Sequence, residues 1–112
     1  MNFNASRYEL FLKLVSDKSD EIKTQFETEQ IDIDIPLNKF QWTPLQIAAY
    51  RGNMVLVDYF LHKGANKDYK NHSGFTAEML ARSQGHQNVS DFIGEFMSLN
   101  VEVSSSDDGE VL

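Results

Sequence analysis

Thr43-Pro44-Leu45-Gln46-Ile47-Ala48-Ala49-Tyr50-Arg51-Gly52 decides the reading of this chain, because it recurs in outline 33 positions later. The second copy is Thr76-Ala77-Glu78-Met79-Leu80-Ala81-Arg82-Ser83-Gln84-Gly85, with the threonine, one alanine and the glycine in register. Asn38 and Asn71 precede the two threonines at the same spacing. Self-similarity at a period of 20 to 50 residues is the mark of a stacked repeat. The physical chemistry of each copy points to a short helix. Thr43 and Thr76 suit the N-cap, where a hydroxyl accepts from the orphan amides of the first turn. Pro44 then falls at the first helical position, where its missing N–H costs nothing. Gly52 and Gly85 close the helices in a left-handed conformation that glycine reaches cheaply.

After each glycine the apolar residues return at spacings of three and four. They are Met54, Val55, Val57, Tyr59, Phe60 and Leu61 in one copy, and Val89, Phe92, Ile93, Phe96 and Met97 in the other. That spacing predicts a second amphipathic helix in each unit. Gly64-Ala65 ends the first of these, and the polar run from Asn66 to Gly74 makes a turn to the next unit. Leu45, Ile47, Ala48 and Leu80 are the expected core.

These residues resemble the ankyrin repeat, whose T-P-L-H-x-A-A-x-x-G-H core lies on the first helix of a 33-residue unit. Gln46 stands where that pattern has His, and Gln41 stands where the second copy keeps Gly74. The resemblance implies an all-α solenoid of stacked helix-turn-helix units with short hairpin turns. It also implies a structural place for His86 behind Gly85. Stepping 33 residues back from Thr43 sets Leu10, Leu12, Leu14, Val15 and Ser19 against Thr43, Leu45, Ile47, Ala48 and Gly52, with Ile22 and Phe26 against Val55 and Tyr59. The expected organisation is one domain over residues 1–100. A degenerate capping repeat covers about 6–35, and full repeats cover about 36–68 and 69–98. Residues 101–112 read as a flexible acidic tail, with Ser104 to Ser106 placed as in a substrate of an acidophilic kinase.

Charge narrows the function. The 112 residues carry a formal net charge of -7, against the basic footprint that nucleic acid requires. The distribution is uneven. Between Asp17 and Asp34 seven carboxylates face two lysines, whereas residues 36–75 hold Lys39, Arg51, Lys63, Lys67 and Lys70 against Asp58 and Asp68. A polarised molecule follows. No apolar stretch approaches membrane-spanning length, and no cysteine is present, which fits a cytoplasmic setting. His62, His72 and His86 lack the mutual spacing of a zinc site, and Asp32-Ile33-Asp34 lacks the turn of a calcium loop. The chain contains no nucleophile elbow and no glycine-rich phosphate loop, so no enzyme, no cofactor and no metal are expected.

In ankyrin arrays the hairpin tips and first helices form the usual binding face, since the consensus positions are occupied with packing. The variable positions there include Lys39, Phe40, Trp42, Tyr50 and Arg51 in one repeat and Lys70, His72 and Phe75 in the next. Aromatics beside Lys and Arg are what binding hot spots are made of. The expected function is non-catalytic binding of another protein by a monomer, or by one member of a hetero-complex. Two other roles fit the same resemblance: an inhibitor or immunity-type protein that blocks an enzyme with its acidic surface, and an accessory factor in enzyme maturation or cofactor loading.

Overall fold

Six helices follow one another in the computed structural model, which describes residues 3–97. They are α1 (Phe3–Val15), α2 (Ser19–Glu29), α3 (Pro44–Arg51), α4 (Met54–His62), α5 (Ala77–Ser83) and α6 (Gln87–Glu95). No strand occurs among the described residues. The tail at 101–112 lies outside the described residues.

The helix boundaries come from the sequence as expected. Thr43 and Thr76 are extended N-caps whose hydroxyls accept from Gln46 N–H and Met79 N–H. At the first of them Gln46 completes a capping box by accepting from Thr43 N–H. Gly52 and Gly85 sit at φ 74° and 80°. Beyond each, the chain closes with the same bond, from Asn53 N–H to Ala48 and from His86 N–H to Ala81. Packing then sorts the helices into an inner row, α1, α3 and α5, and an outer row, α2, α4 and α6. A continuous core joins Leu10, Leu14, Ile22 and Phe26 to Leu45, Leu56, Phe60, Val89 and Ile93. Leu45, Ile47, Ala48 and Leu80 are all buried.

The capping repeat departs from the expected register. Asp17 is its left-handed stop at φ 57°, and Lys18 N–H bonds to Lys13 as Asn53 N–H bonds to Ala48. The spacing to the next repeat is therefore 35 residues. Leu10 pairs with Leu45, Leu14 with Ala49, Ile22 with Val57 and Phe26 with Leu61, and all eight are buried. A longer outer helix accounts for the two extra residues: α2 begins in register with α4 but runs 11 residues against 9, while Asn38 follows the end of α2 at the same distance as Asn71 follows the end of α4. Leu12 then matches Ile47, yet it is exposed where Ile47 is buried.

Two hairpin turns project from the inner row. In each, an asparagine carboxamide oxygen accepts two amide protons. Asn38 takes those of Phe40 and Trp42, and Asn71 takes those of Ser73 and Phe75. Leu37 N–H to Trp42 and Asn71 N–H to Phe75 close the turns. Gln41 adopts φ 64° at the position that Gly74 fills in the second turn at φ 84°.

Candidate functional site

The second hairpin owes its position to Gln46. Its side chain is buried in α3, and its Nε2 donates to Tyr69 C=O at 3.0 Å and to Phe75 C=O at 2.9 Å. It thereby hangs the second hairpin from the first repeat. The two hairpins are joined directly as well, by His72 N–H to Phe40 C=O at 2.9 Å and by Tyr69 hydroxyl to Gln41 C=O at 2.9 Å. Met79 holds the position of Gln46 in the next repeat and stands exposed, with no described hairpin beyond it to hold.

On this frame the candidate residues fall into three groups. Phe40, Tyr50 and Phe75 are open to solvent by 39% or more, and Lys39, Lys70 and His72 are exposed beside them. Lys39 Nζ lies 5.4 Å from the centre of the Phe40 ring. Trp42 is half-buried, packed on the core and edge-on to Tyr50 with ring centres 5.2 Å apart. Arg51 is drawn off the face, to the Asp17 carboxylate at 3.0 Å. There it joins Asn53, whose Nδ2 donates to Ser19 Oγ at 3.1 Å and locks the capping repeat to the next.

The face extends further than sequence reasoning placed it. Tyr8 and Leu12, one turn apart on α1, are exposed by 62% and 41%. A hollow of about 460 Å³ separates α1 from the first hairpin and is lined by Arg7, Tyr8, Leu37, Asn38 and Lys39. Six of the eight large apolar side chains that stand open among the described residues, Tyr8, Leu12, Phe40, Tyr50, Phe75 and Met79, belong to the inner helices and hairpins. That share puts most of the exposed apolar surface on the inner helices and hairpins, and exposed apolar surface is what interaction sites are built from. The signal for Tyr8 and Leu12 was their i,i+4 spacing in a segment with no hairpin ahead of it.

The opposite side is charged and internally paired. Glu27 accepts from the Tyr59 hydroxyl at 2.7 Å and pairs with Lys63 at 2.9 Å, tying α2 to α4. A shallow groove of about 400 Å³ between α1 and α2 is lined by Asp20, Glu21 and Glu29 together with Lys13. His62 pairs with Asp58 within α4 and packs edge-on against Phe96. His86 packs on Gly52, close enough that a Cβ there would lie 2.7 Å from its ring. No group of three or more potential metal ligands converges among the described residues. Nor is any described helix long and apolar enough to cross a membrane.

Comparison with known proteins agrees with this geometry. The family model for ankyrin repeats (3 copies) matches residues 5–104. Phosphocholine transferase AnkX of Legionella pneumophila is 41% identical over 66 residues, which are 59% of this chain and 7% of that protein. Among solved structures, a chain of the Bdellovibrio bacteriovorus Bd0816 predatory endopeptidase in complex with immunity protein Bd3460 superposes with a TM-score of 0.71 at 26% identity. That match covers 77% of this chain and 44% of the other. The present chain thus spans less than half the length of either protein.

Proposed function

The chain belongs to the ankyrin-repeat family, a family that mediates protein–protein interaction, and on that premise we propose that it binds a partner protein through its hairpins and inner helices without catalysing a reaction. The observation that carries this reading is the exposure of Tyr8, Leu12, Phe40, Tyr50 and Phe75 on the inner helices and hairpins, with Lys39, Lys70 and His72 exposed on the same hairpins. Phe40 and Phe75 are the anchors: each is exposed on a hairpin whose backbone is fixed by Asn38 or Asn71. A rigid, preorganised aromatic loses little freedom on binding and fits the hot-spot pattern. Lys39 and Lys70 steer the approach of the partner, as exposed charges do, more than they hold it.

One alternative has specific support. The solved complex pairs an endopeptidase with an immunity protein, and the Asp20, Glu21 and Glu29 groove offers an acidic surface to the active site of an enzyme. Titrating variants against a partner captured with the full chain separates the two readings. Phe40→Ala and Phe75→Ala should each weaken binding by about 2 kcal/mol or more, roughly thirtyfold, and leave the melting temperature nearly unchanged. Trp42→Ala is a poorer probe, because its ring also packs on Tyr50 and the core. Full binding by both Phe variants, with loss on neutralising Asp20, Glu21 and Glu29, would reject the hairpin face in favour of the acidic one.

A further inference from the structure

Most cations of residues 36–75 are already engaged. Arg51 is held by Asp17, Lys63 by Glu27, and Lys67 by main-chain carbonyls at the end of α6. Lys39 and Lys70 differ, being exposed and forming no ion pair among the described residues. They stand on adjacent hairpins joined by the His72 N–H to Phe40 C=O bond. No carboxylate lines the hollow beside Lys39.

The place where the chain leaves α6 is fixed by Lys67. Its ammonium donates to Ile93 C=O at 3.0 Å and to Phe96 C=O at 2.8 Å, a cation placed where the carbonyl end of a helix favours positive charge. Met97 consequently lines the same groove as Asn66, Lys67 and Asp68. Lys67 is three residues before Lys70, so the chain beyond Met97 starts at the root of the second hairpin. Residues 98–112 carry Glu102, Asp107, Asp108 and Glu110 and neither Lys nor Arg. An extended chain advances about 3.3 to 3.6 Å per residue. Ten residues past Met97 span roughly 33 to 36 Å when extended, and the two lysines to be met stand on adjacent turns.

We propose that the acidic segment Glu102–Glu110 docks on the molecule's own hairpin tips, against Lys70 and then Lys39, and so occupies the basic part of the interaction face. Each contact is solvent-exposed and weak, but tethering raises the local concentration of the segment to the millimolar range. Docking is therefore reversible and sensitive to salt. A partner would have to displace the segment, and this consequence alone rests on the binding reading above. The docking itself requires no partner, so it can fail or hold independently of that reading.

The chain has no cysteine, so Gly109→Cys provides a unique attachment point for a nitroxide on the full-length protein. Amide resonances are then read in dilute buffer, with the label paramagnetic and reduced. Broadening concentrated on residues 39–42 and 70–75 is expected. It should vanish at about 1 M salt, where the Debye length is only about 3 Å, and in the folded Lys39→Glu/Lys70→Glu variant. Absent broadening, broadening confined to residues 64–68, or broadening that survives both high salt and the charge reversal would overturn the proposal. A mixed sample of spin-labelled and isotope-labelled chains provides the last control. Hairpin broadening that appears there at full strength assigns the face to a second copy and also defeats the intramolecular reading.

Discussion

Gly52 and Gly85 hold equivalent left-handed positions, yet their surroundings differ. Around Gly85 nothing would meet an added Cβ within 4 Å, whereas at Gly52 the Cβ would fall 2.7 Å from the His86 imidazole. Gly85→Ala should therefore cost only the backbone penalty for an L-residue in this region, about 1 to 2 kcal/mol. Gly52→Ala carries the same penalty and in addition must displace a packed ring between two repeats. Its cost should exceed that of Gly85→Ala by at least about 1 kcal/mol, the scale of a core overpacking. Denaturant melts of Gly52→Ala, Gly85→Ala, His86→Ala and Gly52→Ala/His86→Ala make the test, because a double-mutant cycle isolates the contact. In the His86→Ala background the cost of Gly52→Ala should drop to the Gly85→Ala level. Equal costs for the two glycines in the native background would remove His86 from this junction.

Between elements, the α2–α4 contact holds a linked pair of titrations. Burial, followed by the hydrogen bond to Glu27, pushes the Tyr59 hydroxyl up from 10.0 to about 12. The same Tyr59 bond, followed by Lys63, holds the Glu27 carboxyl below its ordinary 4.5. A raised folded-state value means that the proton is held more tightly in the native state. The Tyr59 contribution is thus complete below pH 10 and is lost as pH rises towards 12. For Glu27 the sign reverses: its contribution is present above about pH 4.5 and fades as pH falls through the lowered folded value. Tyr59→Phe should abolish the first dependence and shrink the second, leaving a Lys63 pairing that salt screens. Stability measured by urea titration from pH 3 to 12 checks it, and an unchanged alkaline limb would exclude Tyr59 as its source. Elements like these also show what the sequence could and could not reveal. Thr43, Pro44, Gly52 and Gly85 were legible because caps and stops act within a few residues of themselves. The bonds of Gln46 to Tyr69 and Phe75, of Asp17 to Arg51, and of Tyr59 to Glu27 join residues 23 to 34 apart and exist only once the repeats stack. Fixing the period at 33 placed the stop of the capping repeat at Ser19 when it lies at Asp17, because nothing local reports that α2 runs two residues longer than α4. In the candidate site, exposed Phe40 and Phe75 followed from the consensus. The half-buried Trp42 and the Arg51 ion pair did not, since their partners come from tertiary packing.

At the scale of the whole molecule, stability is shared between neighbouring repeats, and Leu45 tests how tightly. It is 1% exposed on α3, the inner helix that packs against both α1 and α5, while Leu10, equally buried, lies at the end of the row. A stack of this size has about 0.05 to 0.15 kcal/mol of stability per residue, most of it in interfaces between adjacent units. Leu45→Ala should cost about 2 to 5 kcal/mol. At about 4 to 8 °C per kcal/mol for a domain of this length, the melting temperature falls by at least about 8 °C. Because both interfaces of the middle repeat fail together, far-ultraviolet circular dichroism and Trp42 fluorescence should still melt in one coincident transition. Leu10→Ala loosens only the terminal repeat. Helix signal from α1 and α2 should then be lost before the Trp42 environment changes, and the two curves should separate. A native-like melting temperature for Leu45→Ala would show that the middle repeat is not the keystone of the stack. Coincident curves for Leu10→Ala would show that the capping repeat folds as one unit with the rest, bound through Arg51, Asn53 and Asp17 more tightly than a terminal unit ordinarily is.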